Sequence, residues 1–394
     1  MEKKALIIYE IAGLGHEKVA GILAGMLEQN GYIVTKLAMS SLLNAKDAYF
    51  FSWTWNYFVR RNLVFLANAI NIFSVRLFFL PLFELRNTER VIQKISEQRP
   101  AVLISTIHCY NKILAEYSTR HQTPFFVFIT EVFPTFLDTV APGADHFCYF
   151  NESRNLVHAF DFNLGYYQNK IIPGRWLQNI ARYITSRLRD FRKRGPKEAL
   201  FVQELNDLPK NNNATCFTLG PFSSKEFFEP KDRREIAQRL GLCAGQDTIL
   251  IASGSIGGRF VFDMLKTITA ANLPVNVLAV CGKDKTTLAR VQEYARRYRG
   301  ASMITAFGFV DFFDELLTAA DAAVCRPSAQ VFIECLLKTL PFVTLRKTTF
   351  NDHGGLRMIE KYGLGEICDS HSQVPALVSL VLRQKHKYRK NIKS

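Results

Sequence analysis

The fold is decided by one stretch of sequence, TILIASGSIGGRFVFDMLKTITAA at residues 248–271. It begins with an apolar run, passes through a glycine-rich turn and continues with apolar residues at helical spacing. A short apolar strand that leads through glycines into a helix is typical of a parallel sheet covered by helices on both faces. The stretch therefore predicts a strand over 249–252, a turn over 253–258 and a helix over 260–271.

The same order of strand, glycine turn and helix occurs at the start of the chain. Residues 5–9 predict a strand, which runs through Gly13, Gly15 and His16 into a helix over 18–29. Further short apolar runs predict strands at 32–37, 101–105, 125–129, 275–280, 303–306, 322–325 and 342–345. This alternation predicts an α/β protein with two doubly wound, Rossmann-like domains that face a cleft.

A polar segment separates the two series of strands. Residues 182–197 are strongly basic, and NDLPKNNNA at 206–214 is rich in turn-forming residues. We therefore expect a first domain over 1–195, a linker near 195–215 and a second domain over 215–375. Residues 376–394 are expected to form a C-terminal helix and basic tail that packs back on the N-terminal domain.

The composition narrows the class of partner. The 394 residues carry 50 Lys and Arg against 35 Asp and Glu, a net charge of +15, and include 32 phenylalanines. Apolar residues at 48% exclude extended disorder. Such positive charge indicates phosphates, nucleic acid or an anionic membrane. Because it lies beside apolar segments and no nucleic-acid reader motif occurs, the membrane is favoured.

The chain shows no pattern of export or membrane crossing. Its eight cysteines are scattered without a CxxC pair, so we expect core residues in a reduced, cytoplasmic setting. The first apolar stretch stops at Tyr9-Glu10 and predicts a strand rather than a signal peptide. The uncharged run over residues 62–75, fourteen residues long, is too short to cross about 30 Å of hydrocarbon.

The first glycine turn does not fit a nicotinamide site. The dinucleotide fingerprint needs a third glycine where the chain has Lys18, and an acid where the second strand ends in KLAMS at 36–40. The turn does bring His16 to the mouth of the sheet, where an imidazole is suited to general-base catalysis. A capping or structural histidine is the alternative.

Two further turns have the chemistry of a nucleotide site. The small residues at 253–258 allow backbone N–H groups to approach an anion at a helix N-terminus, although the spacing is not that of a P-loop. After the strand at 322–325, Ser328 is placed to cap a helix over 331–339. Glu334 lies one turn into that helix, where its carboxylate could accept hydrogen bonds from a ribose or complement the helix dipole.

These motifs, in this order, resemble a glycosyltransferase group. The group includes the monogalactosyldiacylglycerol synthases, the bacterial processive diacylglycerol glucosyltransferases and the peptidoglycan enzyme that adds N-acetylglucosamine to lipid I. The resemblance covers most of the chain. Its segments are the turn that ends in His16, ITEVFP at 129–134, Gly220-Pro221, the loop at 253–258, FGFV at 307–310, the turn and helix at 326–334, and YGLG at 362–365.

The resemblance implies a GT-B fold and an inverting, metal-independent transfer of a hexose from a UDP-sugar to a membrane lipid, diacylglycerol-type or polyprenyl-linked. It implies no cofactor and no metal, and the sequence has no Asp-x-Asp. His16, with Glu131 as its partner, would deprotonate the acceptor hydroxyl. Donor contacts would fall on Gly254, Ser255 and Gly257 for the diphosphate, Phe309 and Val310 for uracil, Glu334 for the ribose, and on Ser328, Gln330, Asp352 and His353.

The sequence departs from the group in three places. The glycine run that the group has before the ribose-binding glutamate is Pro327-Ser328-Ala329 here. The group's arginine after the Gly-Pro turn is replaced by Phe222-Ser223-Ser224, so that phosphate contact is lost or supplied by another residue such as Arg259. The segment that reads the sugar appears as NDHGG at 351–355. The donor sugar (glucose, galactose or N-acetylglucosamine) is therefore open.

An aromatic and basic stretch predicts membrane contact. YFFSWTWNYF at 49–58 holds seven aromatics in ten residues. Aromatic rings beside arginines suit the headgroup layer, whereas a buried core helix is the alternative for the apolar run at 63–75. The basic tail at 383–390 either adds roughly 1 kcal/mol per residue near anionic lipid or is solvated. Acceptor or membrane contacts are expected at Gly15, Trp53, Trp55, Tyr57, Phe58, Arg60 and Arg61.

The sequence thus predicts a peripheral membrane protein on the cytoplasmic face of a bacterial membrane. Its expected partners are a UDP-sugar, a lipid acceptor and the anionic membrane surface, and not nucleic acid. Two alternatives stay open: a UDP-N-acetylglucosamine 2-epimerase-like enzyme with the same two-domain plan, and a catalytically inactive nucleotide- or lipid-binding protein. The first needs no lipid groove, so the stretch at 49–83 counts against it.

Overall fold

The chain divides into two compact units. The computed structural model describes residues 3–10, 15–44, 46, 56–70, 79–107, 109–134, 139–160, 175–199 and 214–394. The first unit comprises Met1–Thr54 and Asn68–Gly220, and the second comprises Trp55–Ala67 and Pro221–Ser394. Residues 56–67 therefore group with the C-terminal half of the chain.

Within the described residues, the first unit is built on a six-stranded parallel sheet in the order β2-β1-β3-β4-β5-β6. Its strands are β1 (Lys4–Tyr9), β2 (Ile33–Ala38), β3 (Val102–Ser105), β4 (Phe125–Phe128), β5 (Asp145–Cys148) and β6 (Thr215–Thr218). The helices up to β6 are α1 (Gly15–Gln29), α2 (Met39–Leu42), α3 (Val64–Ile70), α4 (Phe79–Gln98), α5 (Asn111–His121), α6 (Asn151–Ala159) and α7 (Trp176–Ala199).

The second unit has its own six-stranded parallel sheet among the described residues, in the order β12-β11-β10-β7-β8-β9. Its strands are β7 (Thr248–Ala252), β8 (Asn276–Val280), β9 (Met303–Phe307), β10 (Ala322–Cys325), β11 (Phe342–Leu345) and β12 (Gly365–Cys368). Its helices are α8 (Arg233–Arg239), α9 (Arg259–Ala270), α10 (Lys285–Arg297), α11 (Phe313–Ala319), α12 (Ala329–Leu337), α13 (His353–Tyr362), α14 (Val374–Arg383) and α15 (Lys385–Lys393).

The apolar strands hold the second unit together. Every residue of β7, β8, β10 and β11 is buried, as expected where helices cover both faces of a parallel sheet. Ile249, Val277 and Val343 from these strands share one core cluster with Met264 of α9 and Val378 of α14. Seven of the eight cysteines are buried, which confirms that they serve as core residues.

The predicted fold class is confirmed in its elements. All nine strands predicted from the sequence are present with ends within one residue of the prediction. The sequence did not predict β5, β6 or β12, whose segments DHFC, TCFT and GEIC carry polar residues and are only partly buried. Strand β6 follows the predicted linker yet completes the first sheet by pairing with β5. The predicted domain ranges place that strand with the second domain.

The basic C-terminal helix α15 docks on a buried carboxylate of its own unit. Asp321 is 2% exposed and accepts hydrogen bonds from Arg233 at 2.6 Å, Lys385 at 3.0 Å, Arg389 at 3.3 Å and the backbone N–H of Thr248 at 3.0 Å. Burial by itself would raise the pKa of Asp321, but these hydrogen bonds and charges lower it to about 2. One carboxylate thus joins α8, β7 and α15.

Two further hydrogen bonds add to this docking. The Tyr388 hydroxyl donates to Glu366 at 2.5 Å, and the Asn391 side chain donates to the carbonyl of Gly363 at 2.9 Å. Although the sequence predicts that residues 376–394 pack back on the N-terminal domain, these partners all lie in the second unit. Lys385 and Arg389 of the tail are engaged with protein carboxylates.

We predict that Asp321→Asn lowers the free energy of unfolding at pH 7 by about 2 kcal/mol, since the folded pKa lies nearly two units below the ordinary value. Because the folded pKa is depressed, this contribution is complete above about pH 4 and is lost as the pH falls through about 2. Urea unfolding of both proteins at pH 7, 4 and 3 measures it.

The matched control for this prediction is Asp263→Asn, which breaks the exposed ion pair with Arg259. We expect that change to cost less than about 0.5 kcal/mol. Equal losses in the two variants, or a difference at pH 7 that does not shrink toward pH 3, would contradict the role given to Asp321.

Candidate active site

The strand orders fix where ligands bind in each unit. In an open parallel sheet, the crevice opens at the carboxyl ends of the strands where the chain order reverses. In the first unit this switch point lies between β1 and β3, and in the second between β7 and β10. Of the predicted site residues, His16 follows β1, the loop at 253–258 follows β7 and Glu334 follows β10.

His16 lies at the switch point of the first unit. Helix α1 begins at Gly15, so His16 is in its first turn rather than in the preceding loop, and it is 8% exposed. Its Nδ1 lies 2.6 Å from the carbonyl oxygen of Thr106, which follows β3, and 2.7 Å from the Thr130 hydroxyl, which follows β4. Gly13, also predicted for this turn, lies outside the described residues.

These contacts determine the tautomer of His16. A carbonyl oxygen only accepts hydrogen bonds, so Nδ1 must carry the proton that it donates to Thr106. In the neutral ring the lone pair then resides on Nε2. The Thr130 hydroxyl donates to the same carbonyl at 3.3 Å, and the Thr106 hydroxyl donates to the His16 carbonyl at 3.2 Å. The ring is therefore held in one orientation from two neighbouring strands.

Glu131 faces the other ring nitrogen. Its Oε1 lies 3.9 Å from Nε2 of His16, and both side chains are largely buried. This distance is too long for a hydrogen bond, but in a partly buried setting a carboxylate so close stabilises a protonated imidazole. The structure brings together the two residues predicted to be catalytic. Thr106 and Thr130, which the sequence did not single out, are the groups that position His16.

The glycine-rich loop of the second unit is interlocked with the loop after β8. Ser253 donates from its hydroxyl to the Gly257 carbonyl at 2.8 Å, and the Gly257 N–H donates to Gly254 at 3.1 Å. A Cβ at Gly257 would lie 1.9 Å from the carbonyl oxygen of Cys281, at a φ of +71°. Glycine is therefore required at position 257 by the packing of the two loops.

Lys283 joins this loop to the predicted uracil segment. Its backbone N–H donates to the carbonyl of Ser255 at 2.9 Å, and its ammonium lies 5.3 Å from the ring centroid of Phe309. The side chains of both Lys283 and Phe309 are exposed. Arg259, by contrast, pairs with Asp263 at 3.2 Å. Lys283 was not predicted as a site residue because it lies in none of the motifs recognised in the sequence. The feature that could have pointed to it is Gly282, a glycine directly after an apolar strand.

The glutamate predicted to bind ribose is held by two neighbours. Glu334 is 3% exposed and accepts from Gln330 at 2.7 Å and from the Ser223 hydroxyl at 3.3 Å. Ser328 is the N-cap of α12 as predicted, although its side chain makes no capping hydrogen bond. Its hydroxyl would lie 3.7 Å from a Cβ on Gly254, which places α12 beside the glycine-rich loop.

Asp352 and His353, which were predicted to contact the donor sugar, both contact neighbouring residues of the second unit. Asp352 is 2% exposed, and its Oδ2 accepts from Arg326 at 2.6 Å and from the hydroxyls of Thr348 and Thr349 at 2.8 Å each. These contacts hold the turn that precedes α12. The His353 ring lies against Phe350, with centroids 5.2 Å apart. Donor binding by Asp352 and His353 stays a prediction.

The described part of the aromatic and basic stretch packs on the second unit. Arg61 lies over the ring of Tyr57 at 4.4 Å, and Phe58 meets that ring edge-on at 5.5 Å. The carbonyl oxygen of Arg60 would lie 2.8 Å from a Cβ on Gly258, so this backbone contacts the start of α9. Trp53 and Trp55 lie outside the described residues. Leu63, Phe65 and Leu66, just beyond, are exposed.

The described residues contain neither a bilayer-spanning helix nor a cluster of metal ligands. No helix in that part of the chain is long and apolar enough to cross a bilayer. Nor do any three of its His, Cys, Asp or Glu side chains group in a way that could hold a metal ion. Metal independence stays a prediction.

Comparison with known proteins gives two kinds of similarity. No protein-family model matches the sequence. A processive diacylglycerol beta-glucosyltransferase of Bacillus pumilus is 22% identical over 253 residues, which cover 62% of this chain and 61% of that protein. A protein of the same name from Bacillus mycoides is 23% identical over 154 residues, 38% of each chain. The chain thus spans about three fifths, or less, of the curated relatives that it matches.

Solved structures resemble nearly the whole chain. MurG of Acinetobacter baumannii matches with a TM-score of 0.57 and 13% identity, covering 100% of this chain and 94% of that one. A UDP-glucosyltransferase from Polygonum tinctorium matches with a TM-score of 0.55 and 12% identity, covering 100% and 93%. At such identities the likeness shows the fold, which is GT-B. The resemblance to the lipid glycosyltransferases drawn from the motifs is also confirmed by the two bacterial relatives.

We predict that the neutral His16 ring carries its proton on Nδ1, because that nitrogen faces a carbonyl oxygen. Nitrogen NMR of histidine-labelled protein at pH 8 reports which ring nitrogen is protonated. The exposed His371 serves as the internal reference. A His16 signal with the proton on Nε2 would contradict the assignment.

Proposed function

We propose that the protein is an inverting glycosyltransferase that moves a hexose from a UDP-sugar to the hydroxyl of a membrane lipid. The observation that carries the proposal is the buried His16, oriented through Nδ1 by Thr106 with Glu131 beside Nε2. This is the arrangement that a general base for an alcohol needs. The similarity to two diacylglycerol glucosyltransferases supports the choice of donor and acceptor.

In the proposed reaction, Nε2 of His16 takes the proton of the acceptor hydroxyl. The hydroxyl oxygen forms a bond to the anomeric carbon as the bond from that carbon to the UDP oxygen breaks. The configuration at the anomeric carbon is thereby inverted. UDP leaves with the bonding electron pair, and the proton stays on the imidazole. Glu131 stabilises the resulting imidazolium by its charge, and Thr106 keeps the ring aligned throughout.

The leaving diphosphate is assigned to the loop at 253–258 and the N-terminus of α9, where backbone N–H groups and the helix dipole favour an anion. Lys283 adds a full positive charge. We assign to it the phosphate contact that the group's arginine makes after the Gly-Pro turn, because it is anchored to Ser255 and its ammonium is exposed. Glu334, held by Gln330, would accept the ribose hydroxyls, and Phe309 would lie at the uracil.

The acceptor is proposed to be a lipid with a free hydroxyl, diacylglycerol-type or polyprenyl-linked, presented at the cytoplasmic face of the membrane. The exposed apolar residues after Arg60 and Arg61 support a lipid rather than a soluble acceptor, since Phe65 is 76% exposed. The charge of +15 supports an anionic surface. No metal or cofactor takes part in the proposed reaction.

Removing the imidazole of His16 tests its proposed role as the general base. Mixing the protein with a UDP-sugar and a detergent-dispersed lipid alcohol should release UDP, and His16→Ala should lower kcat about 10²- to 10⁴-fold, as is typical when a general base is lost. Calorimetric affinity for UDP should be unchanged, because His16 does not belong to the donor site. A variant with normal kcat would remove His16 from the mechanism.

The same assay separates the alternatives retained from the sequence. An epimerase would consume the UDP-sugar without any acceptor, whereas a transferase needs the lipid alcohol. An inactive binding protein would take up UDP and release none from a UDP-sugar over a panel of acceptors. Mass spectrometry of total bacterial lipid after incubation with UDP-glucose, UDP-galactose or UDP-N-acetylglucosamine identifies the donor sugar.

Removing the ammonium of Lys283 tests its proposed contact with the diphosphate. Lys283→Met should weaken UDP binding and lower kcat, each roughly 10- to 100-fold, because a hydrogen bond to a charged group contributes about 1.5–3 kcal/mol. Lys283→Arg should restore most of both. The matched control is Lys285→Met, an exposed lysine two residues along at the start of α10. If both methionine variants bind UDP equally well, Lys283 has no part in donor binding.

A further inference from the structure

Helix α7 exposes an apolar stripe that the proposed reaction does not use. Leu177, Ile184 and Leu188 are 71%, 43% and 64% exposed. Their spacing of seven and four residues places them on one side of the helix, within about 40° of each other. Tyr183 and Ser186, on the opposite side, are buried. The helix therefore rests on its own unit by one face and presents the stripe to the outside.

Positive charge borders this stripe. Over its 24 residues α7 holds seven Lys or Arg and two Asp or Glu, a net charge of +5 (7 − 2). Arg182, Arg189, Arg192 and Lys193 are exposed. At 100° per residue, Arg192 and Arg189 lie about 60° and 120° from Leu177, on the same flank of the stripe. A helix that lies in a membrane interface combines apolar side chains on one face with cationic side chains beside them, and α7 has both.

We propose that α7 is a membrane-docking helix, which lies in the plane of an anionic bilayer with Leu177, Ile184 and Leu188 in the acyl boundary. Arg189 and Arg192 then reach lipid phosphates while their aliphatic stems lie along the apolar layer. At about 1.5 Å per residue the helix is roughly 36 Å long, long enough to contact several headgroups. It binds a surface and does not cross the bilayer.

The positive charge of α7 favours a membrane over a second copy of the chain as the partner that covers the stripe. Two copies that met along this stripe would bring two helices of net charge +5 together, and their repulsion opposes association. The phosphates of an anionic bilayer supply the opposite charge. Leu177, Ile184 and Leu188 are aliphatic, so these described residues of the stripe offer no rings on which nucleic-acid bases would stack.

This inference deepens the membrane partner named in the proposed function, but it does not depend on sugar transfer, because docking needs neither nucleotide nor acceptor. The two can fail separately. Vesicle binding is measured on the full chain without substrates, and UDP release is measured with detergent-dispersed acceptor, where no bilayer is present.

The test uses co-sedimentation with vesicles of phosphatidylcholine containing 30% phosphatidylglycerol. Leu177→Gln/Leu188→Gln should weaken binding about tenfold or more, since two apolar side chains are lost from the acyl boundary. Arg189→Gln/Arg192→Gln should weaken it roughly 30-fold at low salt, from about 1 kcal/mol per residue, and much less at high salt. Both variants should release UDP from a UDP-sugar at the normal rate when the acceptor is dispersed in detergent.

Matched controls remove similar groups elsewhere. Met26→Gln changes an apolar residue that is 57% exposed on α1, and Arg234→Gln/Lys285→Gln removes two exposed charges of the second unit. Each should change vesicle binding less than threefold. Unchanged binding by both α7 variants would overturn the proposal. It would also be overturned if Leu177→Gln/Leu188→Gln left vesicle binding intact but turned a dimer into a monomer in sedimentation, which would assign the stripe to self-association.

Discussion

The hydrogen bond from Nδ1 of His16 to the carbonyl of Thr106 is the contact on which the chemistry proposed for the first unit depends. It exists because β1 and β3 are neighbours in a parallel sheet, so the residues that follow them meet at one edge. The acceptor is a backbone oxygen, whose position is fixed by the sheet rather than by a side-chain rotamer. A substitution at position 106 would remove the hydroxyl but not this carbonyl, so the tautomer is determined by the fold itself.

Periodicity and glycine turns were enough to predict the architecture, since fully apolar strands such as β7 and β10 have few other interpretations. The polar strands β5, β6 and β12 were missed because their segments are short and only partly buried. In the site, His16, Glu131 and Glu334 could be named from motifs. Thr106 could not, because its carbonyl contact with His16 depends on which strands are adjacent, and no local pattern encodes that. Gly282 after an apolar strand marked the turn that holds Lys283, but the contact of Lys283 with Ser255 depends on which loops are adjacent.

The many cationic residues of the chain are of two kinds. Part of it is neutralised internally: Lys385 and Arg389 of the C-terminal tail bind the buried Asp321, and Arg326 binds the buried Asp352. These cations hold elements of the second unit together, and they illustrate why a basic segment in a sequence does not by itself identify a ligand surface. Exposed cations beside apolar side chains, as on α7, are of the other kind.

The grouping of residues 56–67 with the second unit affects how the protein can be divided. A fragment cut at Gly220 would contain the whole second sheet, yet it would lack the stretch of backbone that covers Gly258 at the start of α9. The complementary fragment would carry that stretch without the Gly258 region that it contacts. The GT-B lobes of this protein are thus not separable modules in the genetic sense, and exchanging one lobe for that of a relative would require the early segment to be exchanged with it.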